Sequence, residues 1–231
     1  MRERPLSSLS GSAASLATVF NMFSTNFLLP RFLCLLMGYA FGCIQTAYIL
    51  GKRCKHIDIR KYGSGNAGTT NALRVLGKKM GVLTLCIDIL KAVAAVTLAA
   101  CTFGYDQKQL LIWAGAGAVV GHNHPFYMQF RGGKGVAVMI GIFLAADPRI
   151  LLIAGIPALI LLAAFRYMSL ASITYMGLLI VTTLFFYGKT LPEVTILTSI
   201  LAVMTIVRHK GNIARLITGT ERKVGQYDNT K

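Results

Sequence analysis

Residues 80–103 are almost unbroken hydrocarbon, and the two charges within them, Asp88 and Lys91, lie three residues apart on one helical face. At about 1.5 Å rise per residue, a helix of this length crosses the ~30 Å apolar layer of a bilayer. Charges at that depth are costly and turn toward the bundle interior, so the pair is expected to be a buried ion pair, with one member a candidate to reach a site. Apolar stretches recur at 27–50, 110–120, 136–146, 149–165, 173–187 and 194–207. The chain is 55% hydrophobic and only 14% charged, with mean hydropathy +0.60, whereas soluble domains carry about 25% charged residues. The pattern predicts an all-α, polytopic integral membrane protein with about seven membrane helices. Two of them, 110–120 and 136–146, are short at ~17 Å each; either polar flanks extend them or they form a re-entrant hairpin. Gly38 and Gly42 make a G-x-x-x-G that permits close helix contact.

The Ser/Ala-rich residues 1–25 are too polar to span and read as a disordered or interfacial extension. Residues 26–222 form the membrane domain, and 223–231 a flexible tail. The net charge of +16 is unevenly placed. One side carries the Lys and Arg of residues 52–79, 131–134, Arg166 and 208–231; the other has Arg2, Arg4, Arg31, Lys108, Arg149 and Lys189. The richer side is expected to be cytoplasmic, with the N-terminus outside and the C-terminus inside. No aromatic/basic motif for nucleic acid accompanies the charge. The five cysteines form no C-x-x-C pair and read as small apolar residues.

All the polar clusters fall on that basic side. The first, residues 63–74, is Gly-Ser-Gly-Asn-Ala-Gly-Thr-Thr-Asn-Ala-Leu-Arg. Its G-x-G-x-x-G follows a membrane segment and a basic loop, not a strand, so a dinucleotide site is excluded. What remains is a small, polar stretch able to wrap an anion, a helix opening near Thr70-Asn71, and Arg74 to grip a phosphate through two parallel hydrogen bonds. The second, residues 121–135, is Gly-His-Asn-His-Pro-Phe-Tyr-Met-Gln-Phe-Arg-Gly-Gly-Lys-Gly. Met128 and Gly135 stand where a Walker A loop needs Gly and Ser/Thr. The reading is instead an anion nest of backbone N–H groups from Gly132, Gly133 and Gly135, with Lys134 adding a charge. The third and fourth are a turn at 166–172 holding Ser169 and Ser172, and a basic amphipathic tail, 208–221, in which Ile213, Leu216 and Ile217 share a face. Several cations and hydroxyls with no acidic cage point away from Mg²⁺-dependent phosphotransfer and toward phosphate substrates carrying an acyl chain. No metal and no cofactor are expected. An anion transporter is the rival reading; it would tend to hold its polar sites at mid-membrane or divide them between faces.

Residues 63–74, Gly-His-Asn-His-Pro with Gly-Gly-Lys-Gly-Val-Ala (121–125, 132–137), Ser-Leu-Ala-Ser (169–172), and Arg-His-Lys-Gly-Asn-Ile-Ala-Arg-Leu followed by Gly-Thr-Glu (208–216, 219–221) together resemble the bacterial acyl-phosphate:glycerol-3-phosphate acyltransferases, the PlsY family. The resemblance spans about residues 33–222, four motifs in the family's order; Ala67, Val138 and Met168 stand where Pro, Thr and Thr are usual. It implies a seven-helix inner-membrane enzyme that makes lysophosphatidic acid from glycerol-3-phosphate and acyl-phosphate, in the bilayer, with the acyl-phosphate-producing enzyme as a candidate partner. Carried over by position, Ser64 and Arg74 are glycerol-phosphate ligands and Lys134 is the lysine of the phosphate loop. Lys134, Arg74, Ser64 and His209 are the expected catalytic set. Asn66, Thr70, Asn71, His122, Gly132, Gly133, Gly135, Ser169, Ser172, Asn212, Arg215 and Glu221 are the expected substrate-binding residues. The resemblance implies that the substrate phosphate takes the hydroxyl proton; His122 or His209 as general base is the competing idea.

Overall fold

The computed structural model describes residues 25–226; the expectations for the N-terminal extension, and for the tail beyond Gln226, fall outside those residues except at Thr25, Asn26 and 223–226. The apolar segments are all helical, and no strand occurs among the described residues. In chain order the helices are α1 (Thr25–Gly42), α2 (Thr46–Lys55), α3 (Thr69–Val75), α4 (Lys78–Phe103), α5 (Lys108–Asn123), α6 (Val136–Ala146), α7 (Pro148–Phe165), α8 (Met168–Tyr187), α9 (Pro192–Val207) and α10 (Lys210–Ile217). Single 3₁₀ turns at Ile59–Lys61 and Phe126–Met128 shape the two long polar loops.

Alanines and glycines lie at the closest helix contacts, and many of the large apolar side chains face outward. Ala92, Ala95, Ala99, Ala114 and Ala118 are fully buried, while Phe32 on α1, Leu90 on α4, Leu159 and Ile160 on α7, and Phe185 on α8 face outward. Lipid is as apolar as leucine, so helix contact here is driven by close approach. The Gly38/Gly42 pair is used in this way. It packs on α5, where a Cβ at Gly38 would lie 1.9 Å from the Ala114 carbonyl oxygen and one at Gly42 2.2 Å from that of Ala118. Gly117 and Gly121 of α5 answer it, pressed against the carbonyls of Leu35 and Tyr39. At the end of the bundle away from the polar clusters, Arg31 of α1 grips Glu193 of α9 at 2.6 and 2.7 Å, and Trp113 of α5 donates to the same carboxylate at 2.6 Å. Asp147 caps α7 through the Arg149 N–H and accepts from the Tyr187 hydroxyl at 2.6 Å.

Two boundaries differ from the sequence reading, and one choice it left open is decided. The first span is interrupted at residues 43–45, because buried Gln45 donates from Nε2 to the carbonyls of Gly42, Gly121 and His122. Residues 168–172 are the first turn of α8 and not a turn between helices; only Arg166, in the left-handed region at φ 62°, and Tyr167 connect α7 to α8. The 110–120 segment is extended at both ends, to Lys108 and Asn123. By length and composition four helices qualify as spans among the described residues (Phe27–Lys55, Lys78–Phe103, Pro148–Phe165 and Met168–Tyr187), and a fifth if α9 and α10, bent by 58°, count as one. Val136 at the start of α6 shares a cleft wall with Leu85 of α4.

Candidate active site

The first polar loop is built around Asn71. Its Oδ1 accepts from the Ser64 N–H at 2.8 Å, and its Nδ2 donates to the carbonyls of Ile59 and Tyr62 at 3.1 and 3.0 Å. Gly63 sits at φ +60°, and a Cβ there would come within 2.3 Å of Asn71 Oδ1, so only glycine closes the turn. The result is a loop that presents Ser64 at the surface while Asn71 lies 1% exposed beneath it. Arg60 ties this loop to the next: it pairs with Asp58 and donates to the Met128 carbonyl at 2.9 Å.

The Gly-rich loop folds back on the end of α5. The Gly132 N–H bonds the Asn123 carbonyl at 3.1 Å and the Gly133 N–H bonds that of His122 at 3.0 Å. The expected nest is corrected here: these two N–H groups are engaged by the protein and are not available to an anion. Those of Lys134 and Gly135, at the open N-terminus of α6, have no hydrogen-bond partner among the described residues. Gly135 adopts φ +97°, and buried Asn123 and Thr205 crowd the place a Cβ would take.

Lys134 reaches across to α10, where its Nζ donates to Asn212 Oδ1. Asn212 Nδ2 donates to Glu221 Oε1 at 2.7 Å, which fixes the amide so that its oxygen faces the lysine. Ser169 Oγ donates to the same oxygen at 2.9 Å, and Arg215 Nε to Glu221 Oε2 at 2.7 Å. Burial pushes the Glu221 carboxyl up, but the donors Asn212, Arg215 and Ser169 prevail and hold it below the usual range. Burial pushes the Lys134 ammonium down to about 8; Glu221 opposes this, and Arg215, Arg74 and Arg208 add to it. His209 is pushed down to about 4 by burial and then by the Lys134 charge. Its Nδ1 meets the Thr205 carbonyl at 2.8 Å and must be the donor, which leaves Nε2 as an acceptor.

Two cavities meet at these residues. One is a polar basin of about 900 Å³ walled by Arg60, Lys61, Arg131, Arg208, Lys210 and Arg222. The other is a cleft of about 260 Å³ with a largely apolar wall of Leu85, Val136, Ile140, Leu159 and Leu162. Ser64, Asn66, Arg74, Lys134, Asn212 and Glu221 line both. Of the other expected residues, Thr70, Asn71, His122, Gly135, Ser169, Ser172 and His209 line the cleft, and Gly132 and Arg215 the basin. Gly133 lines neither. The amide of Asn71 and the carboxylate of Glu221 are turned to protein partners, so both act on the site by shaping it. Ser172 Oγ bonds back to the Met168 carbonyl at 2.8 Å.

Sequence reasoning missed Arg208 and Gln45. Arg208 Nε donates to the Gly133 carbonyl at 2.9 Å, and its NH1 lies 3.1 Å from His124 Nε2. Its place next to His209 in the basic tail was the available signal. Gln45, inside an apolar run, gave none.

The sequence model described as glycerol-3-phosphate acyltransferase matches residues 32–219. The chain is 40% identical over 196 residues to the glycerol-3-phosphate acyltransferase of Thermoanaerobacter pseudethanolicus, covering 85% of this chain and 96% of that one. It is 42% identical over 194 residues to that of Alkaliphilus metalliredigens, covering 84% and 96%. Its fold matches the crystal structure of PlsY (YgiH), an integral membrane glycerol 3-phosphate acyltransferase, in the glycerol 3-phosphate form, with TM-score 0.77 and 35% identity over 84% of this chain and 96% of that one. With the lysophosphatidic acid form the TM-score is 0.74. This chain belongs to the glycerol-3-phosphate acyltransferase family.

Proposed function

We propose that the protein transfers a fatty acyl group from acyl-phosphate to the 1-hydroxyl of glycerol-3-phosphate, giving lysophosphatidic acid and inorganic phosphate, the first step of phospholipid synthesis. The observation that carries this reading is the meeting of a cationic basin with an apolar cleft at Ser64, Arg74, Lys134 and Asn212. One end suits a small phosphate ester and the other an acyl chain, and the groups between them are donors and cations.

The donor is a mixed anhydride with phosphate as leaving group. The hydroxyl oxygen of glycerol-3-phosphate attacks the acyl carbonyl, the carbon–oxygen bond to phosphate breaks, and the hydroxyl proton passes to a phosphate oxygen. Two phosphates held close repel each other. Lys134, Arg74, and the free N–H groups of Lys134 and Gly135 offset that repulsion, and fixed positioning supplies most of the acceleration. His209, neutral at physiological pH with Nε2 unprotonated, serves as an acceptor for a substrate hydroxyl; a group titrating near 4 is a poor base at pH 7. The site-bearing end, rich in Lys and Arg, faces the cytoplasm. The acyl-phosphate-producing enzyme is the proposed supplier of donor.

The test is product formation by purified protein from labelled glycerol-3-phosphate without added metal, with palmitoyl-phosphate or palmitoyl-CoA as donor. Lysophosphatidic acid from acyl-phosphate alone is expected. Product from the CoA ester alone overturns the donor assignment, and no product from either overturns the reaction.

A further inference from the structure

Beneath the Gly-rich loop lies a buried charge cluster that acyl transfer as described does not use. Lys91 of α4 is 4% exposed and aims its Nζ at three acceptors: Asp88 Oδ1 at 2.8 Å, the Ile44 carbonyl at 2.5 Å, and His122 Nδ1 at 2.9 Å. Asp88, 1% exposed, is held in turn by the Thr46 hydroxyl at 3.0 Å. An ammonium has three protons and no lone pair. All three are engaged, and His122 Nδ1 can only accept. A neutral imidazole whose Nδ1 accepts carries its proton on Nε2.

That Nε2 has no hydrogen-bond partner among the described residues, although the ring is only 3% exposed. His122 lines the cleft beside Lys134 and Gly135, and a Cβ on Gly133 would come within 2.0 Å of Nε2. An unpartnered donor on the cleft wall therefore stands at the edge of the loop.

We propose that Lys91 is a positioning residue that fixes His122 as the neutral Nε2–H tautomer, so that His122 donates a hydrogen bond to a phosphate oxygen in the site and is unable to act as its base. The only basic nitrogen of the ring is occupied by the Lys91 ammonium. The inference rests on the phosphate reading of the site. The oxygen belongs either to glycerol-3-phosphate or to the acyl donor.

The tautomer is measured without turnover, by ¹⁵N NMR of the full chain labelled at histidine, with His122 assigned by its loss in His122→Gln. An Nε2–H neutral ring at pH 7 is expected, whose Nε2 signal moves when glycerol-3-phosphate or inorganic phosphate is added. A ring protonated at Nδ1, or an Nε2 signal indifferent to both ligands and to an acyl-phosphate analogue, overturns the proposal. Lys91→Met leaves Asp88 unpaired and is paired with the double variant Asp88→Asn/Lys91→Met, in which His122 is expected to lose its single tautomer. A double variant that keeps the tautomer removes Lys91 from the scheme. In kinetics, His122→Gln, whose amide reaches the Nε2 place, is expected to keep kcat and KM within about tenfold. His122→Asn, which places no donor there, is expected to raise one substrate's KM tenfold or more; the substrate affected identifies the phosphate. Equal losses in both variants, or none in either, overturn the donor role. If the wild type makes no product yet shows the tautomer and the phosphate response, the acyl-transfer reading fails and this inference stands.

Discussion

Lys134 is the residue on which pH acts. In the proposed reaction its ammonium binds phosphate, and burial brings its titration to about 8 in the free protein. Below that value the charge is present; above it the charge is lost. Above the second ionisation of the substrate phosphate at about pH 6, the expected kcat/KM for glycerol-3-phosphate is level up to about pH 8 and then falls by about tenfold per pH unit, as one proton requires. Lys134→Arg is expected to remove the fall, which a pH profile of both proteins checks. Lys134→Ala and Arg74→Ala are expected to lower kcat/KM by roughly a hundredfold or more while the protein still inserts; near-normal turnover in either breaks the two-phosphate scheme. His209→Gln, which keeps an acceptor, is expected to retain measurable turnover, and a folded but inactive variant restores histidine as base. These residues were legible because cations, amides and hydroxyls are conspicuous in an apolar chain. What each amide faces was not. Asn71, Asn212 and Glu221 have the same composition signal as Ser64, yet their hydrogen bonds close on the protein.

At the scale of elements, the Gly-rich loop is set by sterics at its back. A Cβ at Gly132 would lie 2.0 Å from the His122 carbonyl oxygen, and one at Gly133 2.0 Å from the His122 ring. Gly132→Ala and Gly133→Ala are expected to displace the loop and raise the KM for glycerol-3-phosphate more than tenfold with membrane insertion intact. Gly177→Ala on α8, which meets nothing within 4 Å, is the control and should leave kinetics unchanged. Element existence was readable from apolar run length, and the breaks were less so. No Pro or Gly marks residues 43–45; the interruption comes from Gln45 bonding carbonyls of α5, a contact between segments far apart in sequence. The Ser169–Ser172 stretch reads as a turn because its residues are short and polar. It is helical because Arg166 takes the left-handed conformation and ends the preceding helix ahead of it.

The molecule as a whole concentrates its charge at one end. The basin wall carries far more cations than its two carboxylates, Asp58 and Glu221, so a dianionic substrate is drawn in by a field that salt weakens. The Debye length shrinks from about 10 Å at 0.1 M to about 3 Å at 1 M. Over that range kcat/KM for glycerol-3-phosphate is expected to fall severalfold while kcat holds; a salt-independent kcat/KM would show that capture does not depend on the basin. The opposite end holds a different lesson. Arg31 sits in the first helix, and the carboxylate that neutralises it, Glu193, opens the last long one. A ribosome releases these two residues at nearly opposite ends of translation. The first helix is made well before its glycine-matched neighbour α5, and longer still before the carboxylate that pairs with Arg31. Chain termination before α9 leaves Arg31 without the carboxylate that pairs with it in the finished protein.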